Sequence, residues 1–408
     1  MLGFHSTGRS AALFSEYYGI TAVRALTAAS RSFLAQPPPG FADHPLLTPR
    51  GTVMLATPGS EHQFGTELAA GQQAPDPARE ITPAQAAALC PVLRLAAFTR
   101  VMLKPATMDI DVAALHQGFL RGLRARGGRI LTRARVLRLD RRRGSWHART
   151  GDADITAPVL VNAAGAWADQ LAALAGLTPA GLVPRRRTAF LTGADAGLPA
   201  PGWPMVADVA ETFYFKPESG ALLVSPADTE VTAPGHARPD DLEIARAADR
   251  VQHVTTLRLR RIGRAWAGLR SAPADGLPVA GADPAGEGFV WSAGLGGTGI
   301  QTAPAIGLLT AQAAAAALGA KGPDLADLGP SATELGRLTL SSTPRPSPRP
   351  SPRHAPGSAS SGPPEPWSAG DPAPGEPRPA AHTPATTPAG QPRPGRDITA
   401  LISPERFR

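Results

Sequence analysis

The stretch from 157 to 176 constrains the fold more than any other part of this sequence. An apolar run leads directly into Ala163, Ala164 and Gly165, after which a helical pattern begins. A buried strand that turns through small residues into a helix is typical of α/β nucleotide-binding folds. Small residues let the backbone approach a ligand closely, and a helix N-terminus favours anionic groups. Ordinary buried turns share the pattern, so it indicates a fold class and leaves the ligand open.

A second strand–loop–helix pattern covers 289–319, where Gly296, Gly297 and Gly299 separate an apolar strand from a long apolar helix. The backbone N–H groups of such a loop can face an electron-rich ligand edge. The loop contains no Lys and is not a phosphate loop of the GxxxxGK type. A simple tight turn is the alternative interpretation.

The rest of the folded part alternates between helical and strand patterns. Thr82 and Pro83 mark one helix start, and Asp109 or Asp111 caps another. Alternation over 185–225 predicts an antiparallel sheet, and hence a second layer of different architecture. The remaining predicted helices span 21–35, 109–128 and 245–257, and the remaining strands 129–139, 145–150 and 153–162.

The chain has 408 residues, enough for two domains of ordinary size. From 341 onward the composition narrows to Pro, Ser, Ala, Arg, Gly and Thr. Such a segment cannot bury enough apolar surface to offset the entropy cost of ordering. We therefore predict a disordered Pro/Ser/Arg-rich tail over 331–408.

The net charge is +8, and almost all of the basic residues are Arg. The basic clusters at 133–143 and 258–264 are not interleaved with aromatic residues, as they would be in a protein that binds single strands. We expect a solvated surface there and no nucleic-acid partner. No run approaches the roughly 20 apolar residues of a membrane helix, which predicts no membrane span and a cytoplasmic location.

The single cysteine, Cys90, excludes an internal disulfide and any cysteine-based metal cluster. It follows an Ala-rich helical run and precedes a proline. We interpret it as a small core residue.

Two further groups are candidates for chemistry. The loop over 5–19 carries small and hydroxyl residues around an Arg, which suits a phosphate-bearing ligand. Tyr214 and Arg270 each lie at the end of a strand-like run, and a guanidinium with a phenol matches a carboxylate. The alternative interpretation of this pair is a surface Arg and a packed Tyr.

Six segments, in this order, resemble the FAD-dependent D-amino-acid oxidase/dehydrogenase family, and within it the bacterial D-arginine dehydrogenases. The resemblance runs from residue 3 to about 320. The segments are HSTGRSAALFSEYYG, DIDVAALHQGFLRG, VLVNAAGAWAD, TFYFKP, WAGLRSAPADGLPVAG and AGLGGTGIQTAPAIG.

The resemblance implies a two-domain α/β (α+β) fold, with a Rossmann-like FAD-binding domain and an antiparallel-sheet substrate domain. It assigns 1–32, 109–184 and 266–330 to the first domain, and 33–108 and 185–265 to the second. It implies that FAD contacts the residues Ser10, Ala11, Ala12, Ala163, Ala164, Gly165, Gly296, Gly297, Gly299 and Ile300.

For the substrate, the resemblance implies an active-site tyrosine at Tyr18 and a carboxylate held by Arg270 and Tyr214. It makes Arg187 a further active-site arginine. The implied reaction moves a hydride from the substrate Cα to flavin N5 and gives an imino acid that hydrolyses to a 2-oxo acid. A glycine or sarcosine oxidase of the same fold is an alternative. The electron acceptor is not implied.

Three departures from the family pattern matter. The family opens with a strand and a GxGxxG turn that holds the FAD pyrophosphate, whereas Met1 here falls just before HSTGRSAA. We expect weakened FAD binding, and an inactive remnant is a further alternative. Leu13 stands where D-arginine dehydrogenases have a histidine, and Thr52 where they have an acid. The lost carboxylate predicts a neutral, including hydrophobic, D-amino acid as substrate.

Overall fold

The computed structural model describes residues 2–194 and 200–324 as a mixed α/β fold with several sheets. The predicted disordered tail, 331–408, lies outside these residues. The helices are α1 (Thr21–Ala35), α2 (Glu61–Gly71), α3 (Pro83–Leu89), α4 (Val112–Ala125), α5 (Ala168–Leu174), α6 (Asp241–Val254) and α7 (Gly299–Ala317). The strands are β1 (Leu13–Phe14), β2 (Leu47–Pro49), β3 (Thr52–Ala56), β4 (Arg79–Glu80), β5 (Arg100–Lys104), β6 (Met108–Ile110), β7 (Arg138–Arg142), β8 (Ser145–Arg149), β9 (Asp154–Ala157), β10 (Leu160–Asn162), β11 (Val183–Ala194), β12 (Met205–Asp208), β13 (Tyr214–Glu218), β14 (Ala221–Ser225), β15 (Leu259–Ala272), β16 (Val279–Ala282) and β17 (Phe289–Ala293).

Local capping sets several helix starts as predicted. Thr82 and Gln85 form a reciprocal capping box at α3, with Pro83 in the first turn. Of the two candidate caps for α4, Asp111 is the one used, since its carboxylate accepts the N–H of Ala114. The predicted helix over 21–35 is confirmed as α1.

The largest sheet has eight strands in the order β15-β11-β14-β13-β12-β3-β5-β4. The pairs within 185–225 are antiparallel, as predicted, whereas β12 also pairs in parallel with β3. A hydrophobic core covers one face of this sheet, where Phe190, Phe215 and Val224 pack against Ile244 and Val251 of α6.

A three-stranded sheet in the order β10-β17-β16 joins β10 and β17 in parallel. Two helices pack together beside it, since Leu26 and Ala29 of α1 meet Ala305 and Ile306 of α7. The predicted strand–loop–helix over 289–319 is confirmed as β17 and α7. The strands of the two patterns at 157–176 and 289–319, β10 and β17, therefore lie side by side in one sheet.

Two secondary-structure predictions need correction. The strand predicted over 129–139 begins only at Arg138, and Leu131 and Leu137 are 44% and 55% exposed. Within 129–137 only Leu137 bonds to a described strand, since its N–H donates to the Arg149 carbonyl of β8. An extended segment without a partner gains no ladder hydrogen bonds. The helix predicted directly after the 163–165 turn begins only at Ala168, because residues Gly165–Trp167 form a 3₁₀ turn.

Among the described residues, no helix combines the length and the apolar character needed to cross a membrane.

Candidate active site

The eight-stranded sheet turns one face to its hydrophobic core and the other face to a cavity. Successive side chains of a strand point to opposite faces. Val53 and Leu55 of β3 therefore enter the core, whereas Thr52 and Met54 line the cavity. One face of β3 therefore contributes to the core, and the other face lines the cavity.

Strand register extends this cavity wall across neighbouring strands. Met205 of β12, Thr52 of β3 and Lys104 of β5 lie side by side in one row, and all three line the cavity. Tyr214 of β13 stands in the next row, paired with Ala207. Residues far apart in sequence become neighbours on this face.

Two arginines lie on one face of the outer strands. Arg187 of β11 pairs with Gly268 of β15, and Arg270 is two residues further along β15, so both side chains share that face. The Nε of Arg187 is buried without a hydrogen-bond partner. Burial, and then the charge of Arg270, lower the pKa of the Arg187 guanidinium.

Neither arginine has a carboxylate partner among the described residues, although the other buried or half-buried arginines Arg31, Arg50 and Arg186 do. Two neighbouring guanidiniums that form no ion pair with a described residue favour an anion with paired oxygens. A carboxylate has that geometry.

The glycine loop before α7 forms the opposite wall. Gly296 has a φ of +53°, in the left-handed region that favours glycine. A Cβ on Gly297 would lie 2.7 Å from Nη1 of Arg270, so the guanidinium rests directly on this backbone. The Thr298 hydroxyl donates to the Leu295 carbonyl, and the start of α7 has no side-chain cap.

The loop around Ser10 and the turn after β10 complete this wall. The Ser10 hydroxyl accepts the N–H of Ala12, which has a φ of +29°. Buried Asn162 donates to the Ala168 carbonyl and accepts the N–H of Ala164, which fixes the turn. Both segments present small side chains, so the backbone itself forms the surface.

Two adjoining cavities result, a larger one of about 360 Å³ and a smaller one of about 170 Å³. They share walls at Ser10, Ala11, Arg187, Tyr214, Arg270, Gly297 and Ile300. The sequence-predicted flavin residues and substrate residues therefore meet where the two cavities join.

The remaining sequence-predicted residues divide between the cavities. Ala163, Gly165, Gly296 and Gly299 line only the larger cavity. Ala12 and Tyr18 line only the smaller one, and Tyr18 is 38% exposed. Ala164 lines neither cavity and packs beside the cluster of Ala168 and Trp291.

Sequence reasoning missed the charged residues of the smaller cavity. Lys104 is buried and forms an ion pair with Glu67 of α2, and both line this cavity. Asp208 and Glu211 line it as well. No local motif marks these residues, because only the pairing of β3 with β5 brings Lys104 beside Thr52.

The two positions that depart from the D-arginine dehydrogenase pattern, Leu13 and Thr52, also line the smaller cavity. Met54, Met205 and Phe213 add apolar surface beside them. The side-chain end of this cavity is therefore partly apolar.

Comparison with known proteins bears directly on this arrangement. The family model for FAD dependent oxidoreductases matches residues 1–313. The chain is 32% identical over 173 residues to FAD-dependent oxidoreductase domain-containing protein 1 of Bos taurus, a match that covers 38% of this chain and 35% of that protein. The chain thus spans about a third of the length of that relative.

Solved structures share the fold. L-proline dehydrogenase from P. horikoshii superposes with a TM-score of 0.67 at 20% identity, over 82% of this chain and 90% of that one. Glycine oxidase from Geobacillus kaustophilus gives 0.66 at 21% identity, over 80% and 89%. L-alpha-glycerophosphate oxidase from Mycoplasma pneumoniae, solved with FAD bound, gives 0.68 at 16% identity, over 77% and 86%.

The family match covers most of the chain, and the fold agrees with it. FAD is the cofactor that the family and its FAD-bound structures indicate. The chain belongs to the family of FAD-dependent oxidoreductases.

Proposed function

We propose that this protein oxidises a D-amino acid with a neutral side chain to the imino acid, which hydrolyses to the 2-oxo acid and ammonia. The observation that carries the proposal is the pair Arg187 and Arg270, which form no ion pair with any described carboxylate and lie where the two cavities join. In this proposal the larger cavity takes the flavin and the smaller one the substrate.

The larger cavity suits a flavin. Its walls include Ala163, Gly165 and Gly296, and a Cβ on Gly165 would meet nothing within 4 Å. The buried hydroxyl of Ser271, which has no partner among the described residues, also lines it. A cavity that is lined in part by small residues and holds an unmet hydroxyl matches a ring system with a polar edge.

Several segments hold FAD in this proposal: the loop of Ser10, Ala11 and Ala12, the turn of Ala163, Ala164 and Gly165, and the loop of Gly296, Gly297, Gly299 and Ile300. The uncapped N-terminus of α7 favours negative charge on the ring. Bound FAD supplies the hydride acceptor of the reaction.

The chain's own residues bind and orient the substrate. Arg270 and Arg187 take the carboxylate, Tyr214 adds a hydrogen bond from its hydroxyl, and Tyr18 is a further active-site tyrosine that lines the smaller cavity. Holding the carboxylate fixes the position of the reacting Cα. Positioning of this kind can supply a large part of the rate enhancement. Without an acid at Thr52, nothing at that position selects a cationic side chain.

The chain divides into a part that binds FAD and a part that binds the substrate in this proposal. We propose that 1–32, 109–184 and 266–330 form a Rossmann-like FAD-binding domain, and that 33–108 and 185–265 form the substrate domain. We further propose a cytoplasmic location.

The test is anaerobic reduction of the FAD-loaded full chain by D-leucine, D-methionine and D-arginine, with the L-enantiomers as controls. The proposal predicts reduction by the neutral D-amino acids and slower reduction by D-arginine. Reduction by sarcosine or glycine, and by no D-amino acid, would replace it with an amine oxidase of the glycine or sarcosine type.

A further inference from the structure

A buried ion pair lies in the smaller cavity and has no role in the proposed carboxylate site. The Lys104 side chain is only 5% exposed and lines the cavity in the same row as Thr52 and Met205. Its partner Glu67, on α2, is 31% exposed on its side chain and lines the same cavity. The pair therefore stands at a ligand surface.

The Lys104 ammonium has unused hydrogen-bonding capacity. An ammonium offers three donors, and the described residues give it one acceptor, a carboxylate oxygen of Glu67. Its Nζ also lies 5.8 Å from the ring centre of Tyr17, a contact that takes no donor. Burial lowers the pKa of the Lys104 amine, while the charge of Glu67 opposes that shift. Buried donors without acceptors are costly, so this amine favours a ligand oxygen.

The acids near Lys104 narrow the chemistry of that ligand. Glu67 is paired with the amine, and the charge of Glu211 also acts on it. A second carboxylate on the ligand would be repelled by both acids. A carboxamide matches the pair without repulsion, because its carbonyl accepts from Lys104 and its NH₂ donates to Glu67.

The proposed carboxylate site and the ion pair line one cavity. Arg270 and Tyr214 line the same space as Lys104 and Glu67. The volume of about 170 Å³ exceeds the roughly 150 Å³ of an apolar cavity that holds benzene. A small amino acid with a polar side-chain end fits within it.

We propose that Lys104 and Glu67 form a carboxamide subsite, which selects D-amino acids whose side chain ends in an amide, of the glutamine or asparagine kind. The inference rests on the proposed function, in which Arg270 holds the α-carboxylate. Among the neutral substrates of that function, it predicts a preference for this class.

The test measures binding of unreactive probes to the FAD-loaded full chain by calorimetry. The probes are linear dicarboxylic acids, their monoamides and the monocarboxylic acids of equal length. We expect the best monoamide to bind at least about tenfold more tightly than the matched monocarboxylate, as one charge-assisted hydrogen bond supports. In Lys104→Met that ratio should fall to about one.

Lys216 provides the matched control. It is equally buried and ion-paired, to Asp109 and Glu218, but does not line the cavity. Lys216→Met should lower stability and leave the monoamide preference unchanged. Glu67→Leu should reduce the preference of the monoamide over the dicarboxylate.

Three outcomes would overturn the subsite: monocarboxylates that bind as tightly as monoamides, a preference that survives Lys104→Met, or dicarboxylates that bind most tightly. These results are separable from the proposed function. Reduction of the flavin by D-amino acids without an amide preference would remove only the subsite. An amide preference in a chain that no D-amino acid reduces would remove only the oxidation.

Discussion

The two walls of the candidate active site are built in different ways. The wall formed by the loops at Ser10, Gly165 and Gly297 is made largely of backbone, with small residues that leave room for a ligand. The wall formed by the eight-stranded sheet is made of side chains, among them Thr52 and Arg270. The first wall suits a cofactor that is the same throughout a family, whereas the second can change its chemistry by single substitutions.

This difference indicates that the sheet face, and not the loops, sets the substrate specificity of the proposed site. A substitution on the sheet face changes a contact with the ligand and leaves the backbone in place, because the opposite face holds the core. A substitution in the loops changes the shape of the slot itself. The following predictions, from the largest expected effect to the smallest, test this division.

Removing Arg270 should have the largest effect. Arg270→Met leaves a substrate carboxylate without its main partner, and truncating one member of such a pair costs about 2–5 kcal/mol. We expect kcat/KM for flavin reduction by D-amino acids to fall about 30- to 5,000-fold. Stopped-flow reduction of the loaded enzyme measures it.

Arg185 is the control for that change. It is exposed, lies on the same strand as Arg187 and lines neither cavity. Arg185→Met should leave kcat/KM within about twofold, as is usual for surface substitutions. Arg185 of β11 pairs with Arg270 of β15, so an equal loss in both variants would mean that the pairing of these strands, and not the Arg270 guanidinium, is what matters.

Gly297 connects the two walls and should give the next largest effect. In Gly297→Ala the new Cβ would fall 2.8 Å from Cζ of Arg270, at the flexible end of that side chain. The guanidinium then moves and the backbone stays. We expect KM to rise about tenfold, equivalent to about 1.4 kcal/mol, with the melting temperature nearly unchanged.

The matched variant is Gly307→Ala within α7, where a Cβ meets nothing within 4 Å. It should raise stability by about 0.5–1 kcal/mol, because alanine is the better helix former. Its KM should equal that of the unmodified chain. A rise in KM here would show that α7 as a whole, and not the Arg270 contact, controls binding.

Removing the Tyr214 hydroxyl should have a smaller effect. Tyr214→Phe deletes one hydrogen bond to the carboxylate, worth about 0.5–1.5 kcal/mol. We therefore expect KM to rise between about twofold and tenfold, with kcat less affected. Steady-state kinetics separates the two constants, and an unchanged KM would place the hydroxyl away from the carboxylate.

The core face of the sheet should show no ligand chemistry. Cys90 is fully buried in the cluster that contains Val53 and Phe215, and burial raises the pKa of its thiol to about 12. The thiol therefore stays neutral throughout the ordinary pH range. We expect no reaction of the native protein with a thiol reagent at pH 8 and full reaction after unfolding; rapid native labelling would show that this core opens.

The contrast between the loop wall and the sheet wall also explains which features could be predicted from the sequence. The loops follow from local patterns, so β17, the glycine loop and α7 are confirmed as predicted. Asp111 as a cap and Cys90 in the core are likewise local inferences that hold. The helical and strand periods carry this information within a few residues of each site.

The sheet face was predicted less completely because its neighbours are set by pairing. Lys104 gave no signal, since its position beside Thr52 depends on a register between distant strands. The segment 129–136 has a strand-like composition but lacks a described strand partner, and pairing overrides propensity. The residues taken from the resemblance line one or both of the cavities, except Ala164, and their roles stay predictions.

The most direct test of the central claim is the visible absorption spectrum of the FAD-loaded chain during anaerobic addition of a neutral D-amino acid. The account predicts that the flavin absorption is lost with the D-enantiomer, is retained with the L-enantiomer, and is lost far more slowly in Arg270→Met. A chain that holds FAD and keeps its full absorption with every D-amino acid would contradict the account.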